Sequence, residues 1–386
     1  MKLFNHFKND IIISIVSLIF LISIAIFVEH PWPKDFLISI FSFGLLAMSL
    51  NMLIGFAGMV SFGHAAFFAL GGYAFGLFLQ NELFLLNFGQ LSIIIAFILS
   101  IIITGIYATI IGAICVRLNE IYFAFLTLAF QMFLYSVIVS WVSLTGGDQG
   151  LMGGIARPEF LGIDLSNSIH RYIFCSIIFV ICILILRILN KSNFGYSLRL
   201  IRDNQERAEF LGIRVFRVKL ICFVIASMVA SVGGIIMTLF TSGAYPEWAF
   251  WTQSGEAIFM IMLGGISIFL GPLVGTVLLR LINDVVQMYS SHTELVTGII
   301  IMVVVLGLRK GLVEYLLEKY ANAEYSDEDE DAVIDALRDL VENQILPKDE
   351  TLTYHPDAPQ ITDLKNFKDI IIHLDGTLDL EANDDA

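Results

Sequence analysis

The chain has 386 residues, of which 57% are hydrophobic and 15% charged, with a mean hydropathy of +0.81 and a formal net charge of −14. Soluble domains carry about 25% charged residues, so these values exclude a soluble globular protein. The acidity is local: residues 321–386 hold 19 Asp and Glu against 4 Lys and Arg, which leaves a net charge of +1 on residues 1–320.

Apolar runs near 11–28, 36–54, 64–80, 91–116, 121–141, 171–189, 219–241, 255–270, 272–289 and 295–308 each approach the roughly 20 residues needed to cross a bilayer as a helix. They predict an all-α, polytopic integral membrane protein with about ten transmembrane helices and an acidic cytoplasmic tail. Lys2 and Lys8 precede the first run, as in a signal peptide. That run is too long for a typical signal core, and no small-residue cleavage site follows before Glu29-His30-Pro31. It is read as an uncleaved first span, with residues 1–35 forming this span and its outer link, 36–320 the membrane body and 321–386 the tail.

Next comes a glycine-punctuated stretch inside apolar sequence: Gly55, Gly58, Gly63, Gly71 and Gly72, with His64 after Gly63. Glycine at such places allows close helix contact or lets a helix break and line a polar path. A lone histidine there is more often a hydrogen-bonded packing residue than a ligand. Residues 141–171 form a polar loop containing Thr145-Gly146-Gly147-Asp148-Gln149-Gly150 and Arg157.

The region 187–219 is polar and basic. It carries Arg187, Lys191, Arg199, Arg202, Arg207, Arg214, Arg217 and Lys219 against Asp203, Glu206 and Glu209. Within it, 195–213 has helical spacing. Leu198, Ile201 and Ala208 recur on one side with Leu211 nearby, Arg199, Arg202 and Glu206 occupy a neighbouring polar face, and Gly212 suits a helix C-cap. By spacing alone this is either an interfacial helix held by anionic lipid or a rigid knob that docks on a partner.

A second glycine stretch holds Gly264, Gly265, Gly271, Pro272 and Gly275. Arg280 and Asp284 are the clearest ionisable residues inside a span; four apart, they share a helix face and are expected to pair. Glu256 lies near the edge of another span. In the tail, Ser326-Asp327-Glu328-Asp329 suits a helix cap, Val333, Leu337, Leu340, Val341 and Ile345 make a stripe, and Ile370-Ile371-Ile372 fits a short strand. The tail is read as a solvated acidic extension, with a small docking element as the alternative.

Placing the N-terminus inside and alternating through ten spans puts fourteen basic residues on the cytoplasmic side and three, Lys34, Arg157 and Arg171, outside. Reversal would invert that bias, so both termini are expected in the cytoplasm. Cys115, Cys175, Cys182 and Cys222 all lie in apolar runs, without the spacing of a metal or redox motif. No phosphate-binding loop of the GxxxxGK[ST] type exists, and no catalytic constellation is visible, so no cofactor, metal or catalytic residue is assigned. Nucleic acid is not an expected partner; the lipid bilayer is.

Several motifs carry a resemblance to a known family. The basic loop contributes Gly195, Leu198, Arg199, Ile201, Arg202, Asp203, Asn204, Ala208, Gly212 and Ile213. Leu50-Asn51 and Gly55 through Phe67 contribute a second block, and Tyr122-Phe123-Ala124, Thr127 through Phe130, Leu144 through Gly147, Gly150-Leu151, Arg157-Pro158, Gly271-Pro272, Gly275 and Leu308 through Leu312 follow in order. Over residues 36–312 the chain resembles the branched-chain amino acid ABC transporter permease family of LivM type, departing from it at Leu200, Gln205, Arg207 and Lys310. The resemblance implies a permease subunit without enzymatic activity, in a bacterial plasma (inner) membrane. It further implies a second permease of related fold, two ATP-binding cassette subunits and an extracytoplasmic solute-binding protein as partners. It makes Gly195, Arg199, Arg202, Asp203, Glu206, Ala208 and Gly212 candidates for the ATPase-coupling loop. Asn51, Gly55, Gly58, Gly63, His64, Gly264, Gly265 and Gly271 are candidates for the solute path, and Asp148 and Arg157 for contact with the binding protein. The competing expectation is an ATP-independent channel or secondary transporter.

Overall fold

A computed structural model describes residues 2–28, 30–157, 159, 164–289, 292–307 and 311–315, together with three short strands between 351 and 382. Helices occupy all ten apolar runs: α1 (Lys2–Phe27), α2 (Pro31–Asn51), α3 (Ala65–Gln80), α5 (Ser92–Cys115), α6 (Glu120–Ser140), α8 (Ser168–Lys191), α11 (Val215–Thr241), α12 (Trp251–Gly264), α13 (Gly271–Tyr289) and α14 (Thr293–Gly307). Short helices α4 (Glu82–Phe88), α7 (Val142–Thr145), α9 (Asn193–Asp203) and α10 (Gln205–Phe210) lie between them. Among the described residues, five helical stretches are long and apolar enough to cross a bilayer: Pro31–Phe56, Glu82–Cys115, Ile121–Ser140, Ser168–Lys191 and Val215–Thr241. The protein is thus a helical, multi-pass membrane protein.

Two helices form its centre. α2 starts on Pro31, which needs no intrahelical N–H at that position, and the His30 side chain accepts a hydrogen bond from Trp32 N at 3.3 Å. From Ile40 to Asn51 every α2 residue is buried. α11 packs on α2, α3 and α5. Small residues let it approach α3: a Cβ on Gly71 would meet Ser231, and one on Gly234 would run into the Phe68 carbonyl. This is the close-contact use of glycine in apolar helices. Gly72 continues this crossing against Gly234 and Thr238, and Gly76 lies against Thr238 and against Leu151 and Ile155 of the 141–157 loop. Large side chains fill the remaining space, with Phe41, Phe68, Phe75, Tyr172 and Phe223 fully buried.

α1 packs along α8, and an ion cluster fastens the pair. Asp10 of α1 meets Arg187 Nε at 2.8 Å and Lys191 Nζ at 2.7 Å. Two of the eight basic-loop cations are therefore paired with this buried carboxylate. On the other side of the body, β1 (Leu151–Met152) pairs antiparallel with β2 (Gly243–Ala244), joining the 141–157 loop to the end of α11.

Residues 316–386 form a separate compact unit. Its described part is an antiparallel sheet in the order β3 (Thr351–Thr353), β4 (Phe367–Ile372), β5 (Leu378–Ala382), with Ile370 opposite both Leu352 and Leu380. The strand expected at 370–372 is part of β4. The expected cap at 326–329 and stripe at 333–345 lie outside the described residues.

Candidate functional site: a junction of loop and broken helices

The first glycine stretch is a helix break. α2 continues through one π-helical turn (Met52–Phe56), a form frequent at functional sites, and the chain then runs irregularly to His64. Gly58 adopts φ +69°, which favours glycine. The chain then turns back into the body, since His64 Nε2 lies 2.9 Å from Ser49 Oγ, seven residues before the end of the π turn. At 1.5 Å per residue that return climbs about 10 Å. Gly63 makes it possible, because a Cβ there would collide with the Thr127 carbonyl.

The start of α3 is anchored by buried polar groups. Ala65 N donates to Ser254 Oγ at 3.0 Å, Ser254 donates to Gln131 Oε1 at 2.7 Å, and Gln131 Nε2 donates to the Phe250 carbonyl at 2.8 Å. This chain satisfies one of the N–H groups that a helix start leaves open. Sequence reasoning missed Gln131 and Ser254; a lone amide in the middle of an apolar run was the available signal.

The second glycine stretch closes a helical hairpin. A Cβ on Gly264 would strike the Gly271 carbonyl, and one on Gly275 the Met260 carbonyl, so α12 and α13 meet backbone to backbone. Gly265 turns the chain at φ +110°. The two stretches then meet: Asn51 Nδ2 donates to the Ile266 carbonyl at 3.3 Å, and a Cβ on Gly55 would approach the same oxygen to 2.8 Å. Both expected uses of glycine, close packing and helix breaking, are present.

The basic loop contacts this junction. Its expected single helix is two, α9 and α10, because Asn204 is extended and its side chain accepts from Arg207 N at 2.8 Å as the N-cap of α10. Leu198, Ile201 and Ala208 are buried as the spacing implied, but Leu211 is 66% exposed beside Phe210 at 92%. The cause is the cap after α10: Gly212 takes φ +83°, with Gly212 N bonded to the Glu209 carbonyl and Ile213 N to the Ala208 carbonyl. That is a Schellman turn, and it directs Ile213 rather than Leu211 onto the buried stripe.

Arginines join the parts by capping helix C-termini, where carbonyls lack partners and the helix dipole favours a cation. Arg202 Nη1 donates to the Gly55 carbonyl at the end of the π turn, its methylene stem lies against Gly58, and Asp203 flanks the guanidinium at 3.2 Å. Arg199 Nη2 donates to the Asn190 carbonyl at the end of α8 at 2.8 Å, and a side chain on Gly195 would collide with that same carbonyl. Arg157 does likewise on the opposite side, donating to Leu239 and Phe240 carbonyls at 3.2 and 2.8 Å near the end of α11. Asp148 sits exposed on a short 3-10 turn held by Gly146, Gly147 and Gly150, all at positive φ. The structure thus joins Arg202, Asn51, Gly55, Gly58 and the turn after Gly264 in one junction. Glu206 is exposed on α10, His64 and Gly63 lie one step deeper, and Asp148 and Arg157 lie apart.

Arg280 does not pair with Asp284. Its Nη2 faces Glu256 Oε2 across the α12–α13 hairpin at 3.8 Å, and its guanidinium rests on the Phe43 ring at 3.5 Å.

The family described as branched-chain amino acid transport system / permease component matches residues 33–306. The chain belongs to this family. This permease is 21% identical over 291 residues to the high-affinity branched-chain amino acid transport system permease protein LivM of Salmonella typhimurium, covering 69% of this chain and 67% of that one. It is 25% identical to the probable branched-chain amino acid transport permease protein LivM of Methanocaldococcus jannaschii, covering 66% and 81%. It is also 21% identical to the permease protein LivH of Escherichia coli, covering 70% and 91%. No solved structure matches it. The match spans the junction and both glycine stretches of the permease, and it stops before the acidic tail.

Proposed function

We propose that this permease is the transmembrane subunit of an ATP-driven importer for branched-chain amino acids or related small polar solutes, in a bacterial inner membrane with both termini cytoplasmic. Its partners are a second permease of related fold, two ATP-binding cassette subunits that supply hydrolysis, and an extracytoplasmic solute-binding protein. The observation that carries this reading is the Arg202 contact with the Gly55 carbonyl. It ties a surface loop to the broken end of the central helix, which gives a motor on another chain a handle on that helix. A coupled motion of this kind needs the motor to favour one packing by differential contact, since equal contact shifts nothing.

In this account α10 is the docking tip. Phe210 and Leu211 project from it, and a groove of about 750 Å³ beside it is lined by Arg117, Tyr122, Gln205, Glu209, Phe216 and Lys219 among others. Exposed aromatic anchors dominate many interfaces, at about 2 kcal/mol or more each. Phe210→Ala is therefore expected to weaken retention of the ATPase roughly 30-fold, read by titrating purified permease complex against tagged ATPase. The function itself is tested in vesicles containing the co-expressed complex: ATP-dependent accumulation of labelled leucine supports it, and equal uptake without ATP points to a channel or secondary transporter.

A further inference from the structure

The contact between Glu256 and Arg280 is left over once packing, coupling and helix breaks are accounted for. Both residues lie on helices of the hairpin whose turn is closed by Gly264 against Gly271. Glu256 precedes Gly264 by eight residues and Arg280 follows Gly271 by nine, which sets both about 12–14 Å from that turn. Both charges therefore lie within the length of the hairpin helices and away from their connecting turn.

Among the described residues the two charges face each other only loosely. The separation of 3.8 Å lies beyond hydrogen-bond reach, and the side chains remain 40% and 20% exposed for Glu256 and Arg280. Glu256 accepts one bond, from Gln253 Nε2 at 3.2 Å. Among the described residues the Arg280 N–H groups donate to none, and Arg280 Nε is buried without a partner. Stacking on Phe43 holds the guanidinium in place without using its donors. Charged groups on the apolar helices of a membrane protein face a water-filled path or another protein chain, because lipid is too costly a neighbour. On the opposite side of α12, Ser254 is wholly buried, so the Glu256 face is the one turned outward from this chain's own core.

We propose that Glu256 and Arg280 form part of the wall of the solute path and bind the two ends of a zwitterionic α-amino acid, Arg280 the carboxylate and Glu256 the ammonium group. This rests on the importer reading, and it names the recognising groups. A loosely set pair of opposite charges, with open donors on one side and open acceptors on the other, suits a ligand that carries both charges on one carbon. The apolar part of the ligand remains free to sit against the surrounding helices.

The test uses the whole transport complex in vesicles. The four native cysteines are buried, so the unaltered complex serves as the blank. In Glu256→Cys, a charged membrane-impermeant methanethiosulfonate is expected to label position 256, and leucine to slow that labelling at least fivefold, whereas isocaproate and isoamylamine, each with one charge, leave it unchanged. Glu256→Gln and Arg280→Lys are expected to raise the KM for labelled leucine roughly tenfold or more, with a smaller change in maximal rate. Labelling that leucine does not slow, with an unchanged KM in Glu256→Gln, overturns the proposal and leaves a structural ion pair. The two readings separate cleanly: leucine protection without ATP-driven uptake keeps the site and removes the importer, and uptake without protection does the reverse.

Discussion

In the proposed importer, Arg202→Glu is expected to cut ATP-driven solute uptake roughly 10- to 100-fold while the permease still inserts and still retains the ATPase. Three contacts set this size. The guanidinium caps the Gly55 carbonyl, its stem lies against Gly58, and it balances Asp203. A hydrogen bond to a charged group contributes about 1.5–3 kcal/mol. Reversal also places a carboxylate at a helix C-terminus, where the dipole repels it. The junction is then expected to open, so that in the proposed importer motion of α9 would no longer pull on the π turn that ends α2. Hydrolysis per solute moved is expected to rise, measured as phosphate released against labelled leucine accumulated. Arg207→Glu is the control: Arg207 is exposed on α10 and caps no other helix. It should affect docking without this uncoupling.

Gly264→Ala is expected to reduce the yield of folded, monodisperse protein sharply, and Gly255→Ala to leave it equal or higher. Both glycines lie on α12, but their surroundings differ. A Cβ at 264 collides with the Gly271 carbonyl, a backbone atom that cannot rotate away; a Cβ at 255 meets nothing within 4 Å. Overpacking a tight contact costs about 1–3 kcal/mol, and a collision with backbone belongs at the upper end. Alanine in an open helical position gains up to about 1 kcal/mol over glycine. Thermal unfolding in detergent, followed by size-exclusion chromatography after heating, separates the two. Equal stability of both variants would mean that the hairpin is held by something other than glycine contact.

Much of the body is legible in the residues because a bilayer demands long apolar helices, and helices occur in all ten apolar runs, five helical stretches among the described residues being long and apolar enough to cross. The glycine stretches were legible for the same kind of reason: glycine in apolar sequence marks close approach or a break, and both occur. What escaped the sequence was partner choice. Spacing put Arg280 one turn from Asp284, but tertiary packing offered Phe43 and Glu256. Periodicity ran one helix through 195–213, but Asn204 prefers to cap and divides it. Spacing puts Leu211 only near the buried stripe, and periodicity cannot see that the Schellman turn at Gly212 leaves it exposed and brings Ile213 onto the stripe instead. Asp10 gave a weak signal, one acid at the edge of an apolar run, and its two cationic partners lie about 180 residues away. Contacts between residues so distant have no local pattern to reveal them.

The central claim is that α9 and α10 receive mechanical work from a separate ATPase. A photo-crosslinking amino acid at position 210, activated in native membranes, tests it most directly. The account predicts one dominant adduct, with a chain carrying an ATP-binding cassette, whose yield changes when ATP is trapped. Adducts with lipid alone, from membranes that still accumulate solute, would contradict it.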